Sequence, residues 1–196
     1  LTDATATNSS ALGNGSQATA SNATAIGGAT ASASYSTAIG KTSGNNGAVA
    51  TSGNAAMALN GYASGAASFA AAIDNNTSSY GATAANSIAI GAGLAKATSS
   101  RAMAFGNNAI ASGADSVAIG RSTDSTASSA FAFGYNVLAE AANTLALGYL
   151  SKASIIGKQA YASGNFAALG DAQGGQFILR ADTTDATATV LTTNNS

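Results

Sequence analysis

The side chains of this chain that could do chemistry are a few carboxylates and six tyrosines, because the sequence contains neither histidine nor cysteine. That absence removes the commonest general base, thiol nucleophiles, disulfides and the usual zinc ligands. Asp182 and Asp185 form the closest carboxylate pair, in a predicted turn, while Asp115, Asp124 and Glu140 have no base, ligand set or phosphate-binding loop beside them. We therefore interpret these carboxylates as solvated surface charges and predict a protein that is not an enzyme, with no catalytic residue, metal or cofactor.

Two of the tyrosines are regularly placed. Tyr135 and Tyr149 each follow a glycine directly and lie 14 residues apart, so a periodic structure would repeat them along one edge. Exposed aromatic rings can stack on sugars or anchor a protein partner. We therefore regard both as possible surface-binding residues, and packing against neighbouring repeats is the alternative.

The composition argues against an ordinary globular domain. Apolar residues make up 46% of the chain, mostly alanine, and charged residues only 8%, compared with about 25% in soluble domains. The net charge is −1 and the seven lysines and arginines are scattered, so a nucleic-acid partner is not expected. No stretch approaches about 20 consecutive apolar residues, so we expect no membrane insertion in this segment. A chain beginning at Leu1 is expected to be a fragment or a processed product.

A 14-residue repeat positions these side chains. Gly106, Gly120, Gly134 and Gly148 end the phrases SRAMAFG, DSVAIG, SSAFAFG and NTLALG, and less regular copies end at Gly27, Gly40 and Gly91. A weaker phrase, such as AIASG (109–113), LAEAA (138–142) or AYASG (160–164), follows half a period later. Two alternating phrases per period indicate two short strands and two turns per coil, with the seven glycines supplying backbone angles for turns.

The alternation separates a small face from a bulky one. In DSVAIG, Ser116, Ala118 and Gly120 point one way, and Val117 and Ile119 the other. A thin coil has room inside only for small residues, so the bulky set should face outward onto another copy. The alternative is a single-chain solenoid whose bulky residues fill its own core while alanine faces solvent. The bulky positions are Ile26, Ile39, Leu59, Ile88, Ile90, Met103, Phe105, Val117, Ile119, Phe131, Phe133, Leu145 and Leu147.

The phrases NATAIG (22–27), NSIAIG (86–91), DSVAIG (115–120) and NTLALG (143–148) resemble the repeats of the YadA-like head of trimeric autotransporter adhesins. The resemblance extends over residues 9–170 and is strict over 86–148. It implies an all-β fold, a left-handed parallel β-roll (a β-solenoid) of about 14-residue coils. It also implies a homotrimer in which the bulky positions pack at the trimer axis.

Two segments depart from the regular pattern. Within the predicted roll of residues 1–170, the stretch 41–86 is irregular: Asn60 and Asp74 replace the expected glycine, and loops should protrude. Residues 171–196 form a separate segment, in which FILR (177–180) and TVLT (189–192) flank a polar turn and predict a β-hairpin cap or connector. That segment resembles parts of phage virion and tail-fibre proteins.

These features favour a structural and adhesive trimeric fibre of a phage virion, a rigid spacer that contacts other virion or fibre proteins and attaches to a protein or glycan of the host cell surface. The first alternative is the head of a bacterial trimeric adhesin at the cell surface, which binds extracellular matrix or cells. The second is a single-chain solenoid that binds ice or polysaccharide.

Overall fold

The computed structural model describes residues 2–40, 47–51, 55–72 and 79–176. These residues form β-strands and turns without a helix, and the strands build a parallel β-solenoid. Each coil contributes one short strand to each of two sheets. The predicted all-β solenoid of roughly 14-residue coils is thus confirmed.

Twenty-three strands follow one another along the described residues. They are β1 (Asp3–Ala4), β2 (Ser10–Leu12), β3 (Gln17–Ala18), β4 (Thr24–Ile26), β5 (Thr30–Ala31), β6 (Thr37–Ile39), β7 (Val49–Ala50), β8 (Met57–Leu59), β9 (Tyr62–Ala63), β10 (Phe69–Ala71), β11 (Gly81–Ala82), β12 (Ile88–Ile90), β13 (Lys96–Ala97), β14 (Met103–Phe105), β15 (Ile110–Ala111), β16 (Val117–Arg121), β17 (Asp124–Ser125), β18 (Phe131–Tyr135), β19 (Leu138–Ala139), β20 (Leu145–Tyr149), β21 (Lys152–Ala153), β22 (Gln159–Ser163) and β23 (Gln173–Gln176). The odd-numbered strands up to β21 form sheet A, and the even-numbered strands with β23 form sheet B.

The interior between the sheets is filled by alanine and serine. The second residue of each sheet B strand from β2 to β22 is an alanine, which stacks on the alanine of the next coil, as in the pairs Ala104↔Ala118 and Ala118↔Ala132. Ala118 is fully buried, whereas Val117 and Ile119 on either side of it lie on the outer surface. The prediction of a small-residue interior with bulky residues outside is confirmed, and the alternative with alanine facing solvent is wrong. The interior of these thin coils takes small side chains, and the largest fully buried ones among the described residues are Val137, Thr123 and Thr144.

The turn that leads into sheet B contains a residue in the left-handed conformation and, in many coils, a serine or threonine whose side chain closes the turn. Asn86, Arg101, Asp115, Ser129 and Asn143 all have φ between 53° and 59°. Asparagine and aspartate tolerate this conformation better than most residues, which explains the recurrent Asn or Asp that opens the phrase. The following residue is often a buried hydroxyl that donates a hydrogen bond three residues back, and this bond closes the turn. Examples are Ser36 to Ala33, Ser87 to Ala84 and Thr144 to Ala141.

All seven phrase-ending glycines have positive φ, from 73° at Gly27 to 146° at Gly91. Gly120, Gly134 and Gly148 lie inside strands rather than in the turns, and they stack on one another in register. A Cβ at Gly134 would collide with the carbonyl oxygen of Gly148 in the next coil. Both the backbone angle and the close approach of adjacent coils therefore require glycine.

The irregular stretch keeps the same ladder with uneven spacing. Thr37 pairs with Met57, Met57 with Phe69 and Phe69 with Ile88, which makes the steps 20, 12 and 19 residues long. Asn60 does occupy the glycine place, with a φ of 47°. Ala72, with a φ of 57°, occupies it in the next coil, so the assignment of Asp74 to that place was wrong; Asp74 lies outside the described residues.

The C-terminal end of the solenoid is closed by a different kind of strand. β23 pairs antiparallel with β22, and β22 itself continues sheet B. The AYASG phrase therefore belongs to sheet B and not to the half-period series, and Tyr161 takes the place of Leu147. The predicted hairpin of FILR and TVLT, with Asp182 and Asp185, lies outside the described residues.

Sheet A is closed by a side chain. Gln173 accepts a hydrogen bond from the Lys152 amide at 2.8 Å and donates one to the Lys152 carbonyl at 2.7 Å. Its amide group replaces the peptide group that a further coil would have supplied. Asp171 holds the preceding loop by accepting hydrogen bonds from the amides of Phe166, Ala167 and Ala168, which lowers the pKa of its carboxyl.

Candidate interaction surface

The outward face of sheet B consists of two parallel rows of side chains, one residue per coil in each row. Outer row 1 contains Ser10, Thr24, Thr37, Met57, Phe69, Ile88, Met103, Val117, Phe131, Leu145 and Gln159. Outer row 2 contains Leu12, Ile26, Ile39, Leu59, Ala71, Ile90, Phe105, Ile119, Phe133, Leu147 and Tyr161.

Both rows are apolar from Met57 to Leu147. All thirteen bulky positions singled out from the sequence lie in these rows, and every one is exposed or half-buried in the single chain. Ile119 and Phe131 each keep 38% of their surface exposed. The rings of Phe131 and Phe133 lie parallel, 6.5 Å apart, and form a flat aromatic step across the two rows. The structure thus gathers the predicted stripe into one surface, and its packing at a trimer axis stays a prediction.

The outward face of sheet A has a different chemistry. Its row runs through Lys96, Ile110, Asp124, Leu138 and Lys152, so charged and apolar side chains alternate. Burial raises the pKa of the Asp124 carboxyl above its ordinary value, while the nearby Lys96 charge acts in the opposite direction. Lys152 pairs with Glu140 at 2.9 Å. From Lys96 to Lys152, this face is therefore more polar than the outward face of sheet B.

The two surface-binding candidates, Tyr135 and Tyr149, are the last residues of β18 and β20, one residue beyond the glycines. The rings of Tyr135 and Tyr149 stack 5.4 Å apart, and the Arg121 guanidinium lies 5.0 Å from the Tyr135 ring centroid. Each ring still exposes 37–44% of its surface. Mutual packing and exposure therefore coexist here, and the next position of this edge is the small Ser163 beyond Tyr149.

The remaining charges lie singly or in exposed pairs. Arg101 and Asp115 form a two-pronged ion pair between adjacent coils, with Nη2 2.8 Å from Oδ2, which lowers the pKa of Asp115. Within the described residues, no three carboxylates converge on a position that could hold a metal ion. The same residues include no helix long and apolar enough to cross a membrane.

Sequence reasoning missed the features at the C-terminal end. Tyr161 is 59% exposed and Phe166 89% exposed, and Tyr161 forms one wall of a cleft of about 440 Å³ with Leu147 and Gly174. The 14-residue step from Leu147 to Tyr161 indicates that Tyr161 belongs to outer row 2. This was hard to recognise because Ala162 stands where the phrase-ending glycine is expected.

Four overlapping segments match the sequence model of the YadA head domain repeat. They span residues 4–28 and 27–43 near one end, and residues 97–123 and 111–136 in the regular block. Together they cover somewhat less than half of the chain. The chain therefore carries YadA head domain repeats, which supports the resemblance to the YadA-like adhesin head. None of the curated proteins matches the chain.

Proposed function

We propose that this chain is the head region of a homotrimeric adhesin at the bacterial cell surface. In this proposal the outward faces of sheet B pack together around a threefold axis. The observation that carries it is the apolar surface of the two outer rows, continuous from Met57 to Leu147, on a chain that contains YadA head domain repeats. A monomer would leave this strip in water, and soluble monomers rarely expose more than a few hundred Å² of contiguous apolar surface.

The adhesin is favoured over a phage virion fibre because the family match is with YadA head repeats. The virion hypothesis depends on the resemblance of residues 171–196, most of which lie outside the described residues. The division into a roll of residues 1–170 and a connector of residues 171–196 is part of the same proposal. The remaining alternative is a single-chain solenoid that binds ice or polysaccharide. A measured mass equal to that of one chain would distinguish it from the proposed trimer.

The proposed mechanism is multivalent attachment by a stiff rod without catalysis. Three copies present each surface feature three times, so weak contacts to a host surface add up to strong attachment. We assign the first contact to the exposed edge with Tyr135 and Tyr149, whose rings could stack on a glycan or a protein side chain.

The experiment that tests the function compares surfaces. Fluorescent beads coated with the chain are applied to layers of animal cells, to extracellular-matrix proteins and to bacterial envelopes. We expect binding to cells or matrix, reduced when both Tyr135 and Tyr149 are replaced by alanine. Binding to bacterial envelopes alone would instead favour the virion fibre, and binding to no surface would contradict the adhesive role.

A further inference from the structure

The apolar face of sheet B ends in a gap. Outer row 2 continues from Leu147 to Tyr161, and the residue that pairs with Tyr161 in the last strand is Gly174. Since glycine has no side chain, no side chain at this place within the described residues covers the outer side of the Tyr161 ring. The result is the cleft of about 440 Å³ on the same face as the two apolar rows.

Rotational symmetry limits what can fill this gap in an oligomer. Copies related by one rotation axis have each residue at the same height along that axis. The cleft of one copy therefore faces the Tyr161 level of its neighbour. The exposed residues of β22 are Gln159, Tyr161 and Ser163, and Tyr161 is the large, mostly apolar one, with 59% of its surface exposed.

We infer that this cleft is a docking site for a second copy of the same chain, and that the Tyr161 ring of that copy occupies it. This inference rests on the proposed trimer and adds to it the residues that fix the relative height of the copies. The outer rows repeat with every coil, so a copy shifted by one coil would still find apolar partners. Within the described residues, the pairing of Tyr161 with Gly174 is found at this end of the face alone, so a copy shifted by one coil would leave this cleft unfilled.

Two glycines allow a matched test of this site. Gly174 and Gly164 both lack any heavy atom within 4 Å of a Cβ built on them, and neither has a left-handed φ. A leucine at either position should thus be accommodated by the single chain. Gly174→Leu fills the cleft, whereas Gly164→Leu adds the same side chain outside it.

We expect Gly174→Leu to raise the concentration at which the trimer dissociates by about tenfold or more, measured by sedimentation velocity over a dilution series. Gly164→Leu should dissociate at the same concentration as the wild type, and circular dichroism should show the same β-structure in all three. A Gly174→Leu protein that assembles as the wild type does would overturn the docking site.

The identity of the occupant is tested by a double variant. Tyr161→Ala alone should weaken the trimer, and Tyr161→Ala combined with Gly174→Leu should recover part of the loss, because leucine fills the space that the ring leaves. A double variant weaker than both single variants would overturn the assignment of Tyr161 as the occupant. A wild type that sediments as a monomer would contradict the proposed trimer itself, and an unchanged Gly174→Leu trimer would contradict only this inference.

Discussion

The two sheets of the solenoid share one interior, but their outward faces differ in chemistry. Ala118 of sheet B and Ala111 of sheet A are equally buried, and both contribute to the same small-residue core. Outside, sheet B presents Val117 and Ile119, whereas sheet A presents Ile110 between Lys96 and Asp124. The interior therefore determines how the chain winds, and in the proposed trimer the exterior of sheet B forms the contacts between copies.

The largest expected effect comes from placing a charge on each exterior in turn. Ile119→Asp should abolish assembly, because unpaired carboxylates of several copies would be buried against apolar neighbours, at a cost of several kcal/mol each. Ile110→Asp makes the same change on sheet A, between residues that are already charged, and should leave the oligomer intact. Light scattering measures both. An Ile119→Asp oligomer identical to the wild type would remove the distinction between the two faces.

The glycine row of sheet B tests whether the close approach of adjacent coils requires glycine. Gly134→Ala introduces a Cβ at a φ of 136° that collides with the Gly148 carbonyl, so it should destabilise the chain by more than about 2 kcal/mol. Gly164→Ala is the control, since its Cβ meets no atom within 4 Å. Denaturant unfolding of both variants checks this. Equal midpoints would mean that the stacked glycines do not constrain the coils.

The shared interior predicts equal effects from the two sheets. Ala118→Leu and Ala111→Leu each force a larger side chain into a fully buried position and should each cost about 1–3 kcal/mol of unfolding free energy. The measurement is the shift in denaturant midpoint at constant slope. If only one of the two changes were destabilising, the interior would not be a common core of both sheets.

The smallest effect concerns the half-buried carboxyl of sheet A. Burial raises the folded-state pKa of Asp124 above 3.8, so its ionisation weakens the fold as pH rises through that pKa. Asp124→Asn should therefore raise the melting temperature at pH 7 by at most about 2 °C and leave it unchanged at pH 3. A lower melting temperature at pH 7 would show that attraction to Lys96 outweighs the cost of burial.

The regular part of the fold could be predicted from the sequence because the turn residues, the small buried residues and the alternation there all favour the same solenoid. In DSVAIG, the left-handed Asp115, the buried Ala118 and the alternation up to Gly120 all favour the same coil. The prediction from sequence was wrong where a residue has a backbone conformation that is unusual for its type. Ala72 adopts a left-handed conformation that alanine rarely has, so Asp74 appeared the better substitute for glycine.

The C-terminal end could not be predicted for a different reason. The role of Gln173 depends on its side chain meeting the Lys152 backbone 21 residues earlier, and no periodic pattern encodes that contact. The cleft beside Tyr161 likewise depends on the antiparallel pairing of Gly174, which follows from tertiary closure rather than from repeat spacing. The stripe itself was predictable, since two apolar positions per coil define it.

Sedimentation equilibrium of the unmodified chain decides whether the exterior of sheet B is a surface for identical copies. We expect a single species with three times the chain mass of 18.6 kDa, present down to low concentration. A species at 18.6 kDa over the whole concentration range would contradict it and would leave the apolar face without its proposed partner.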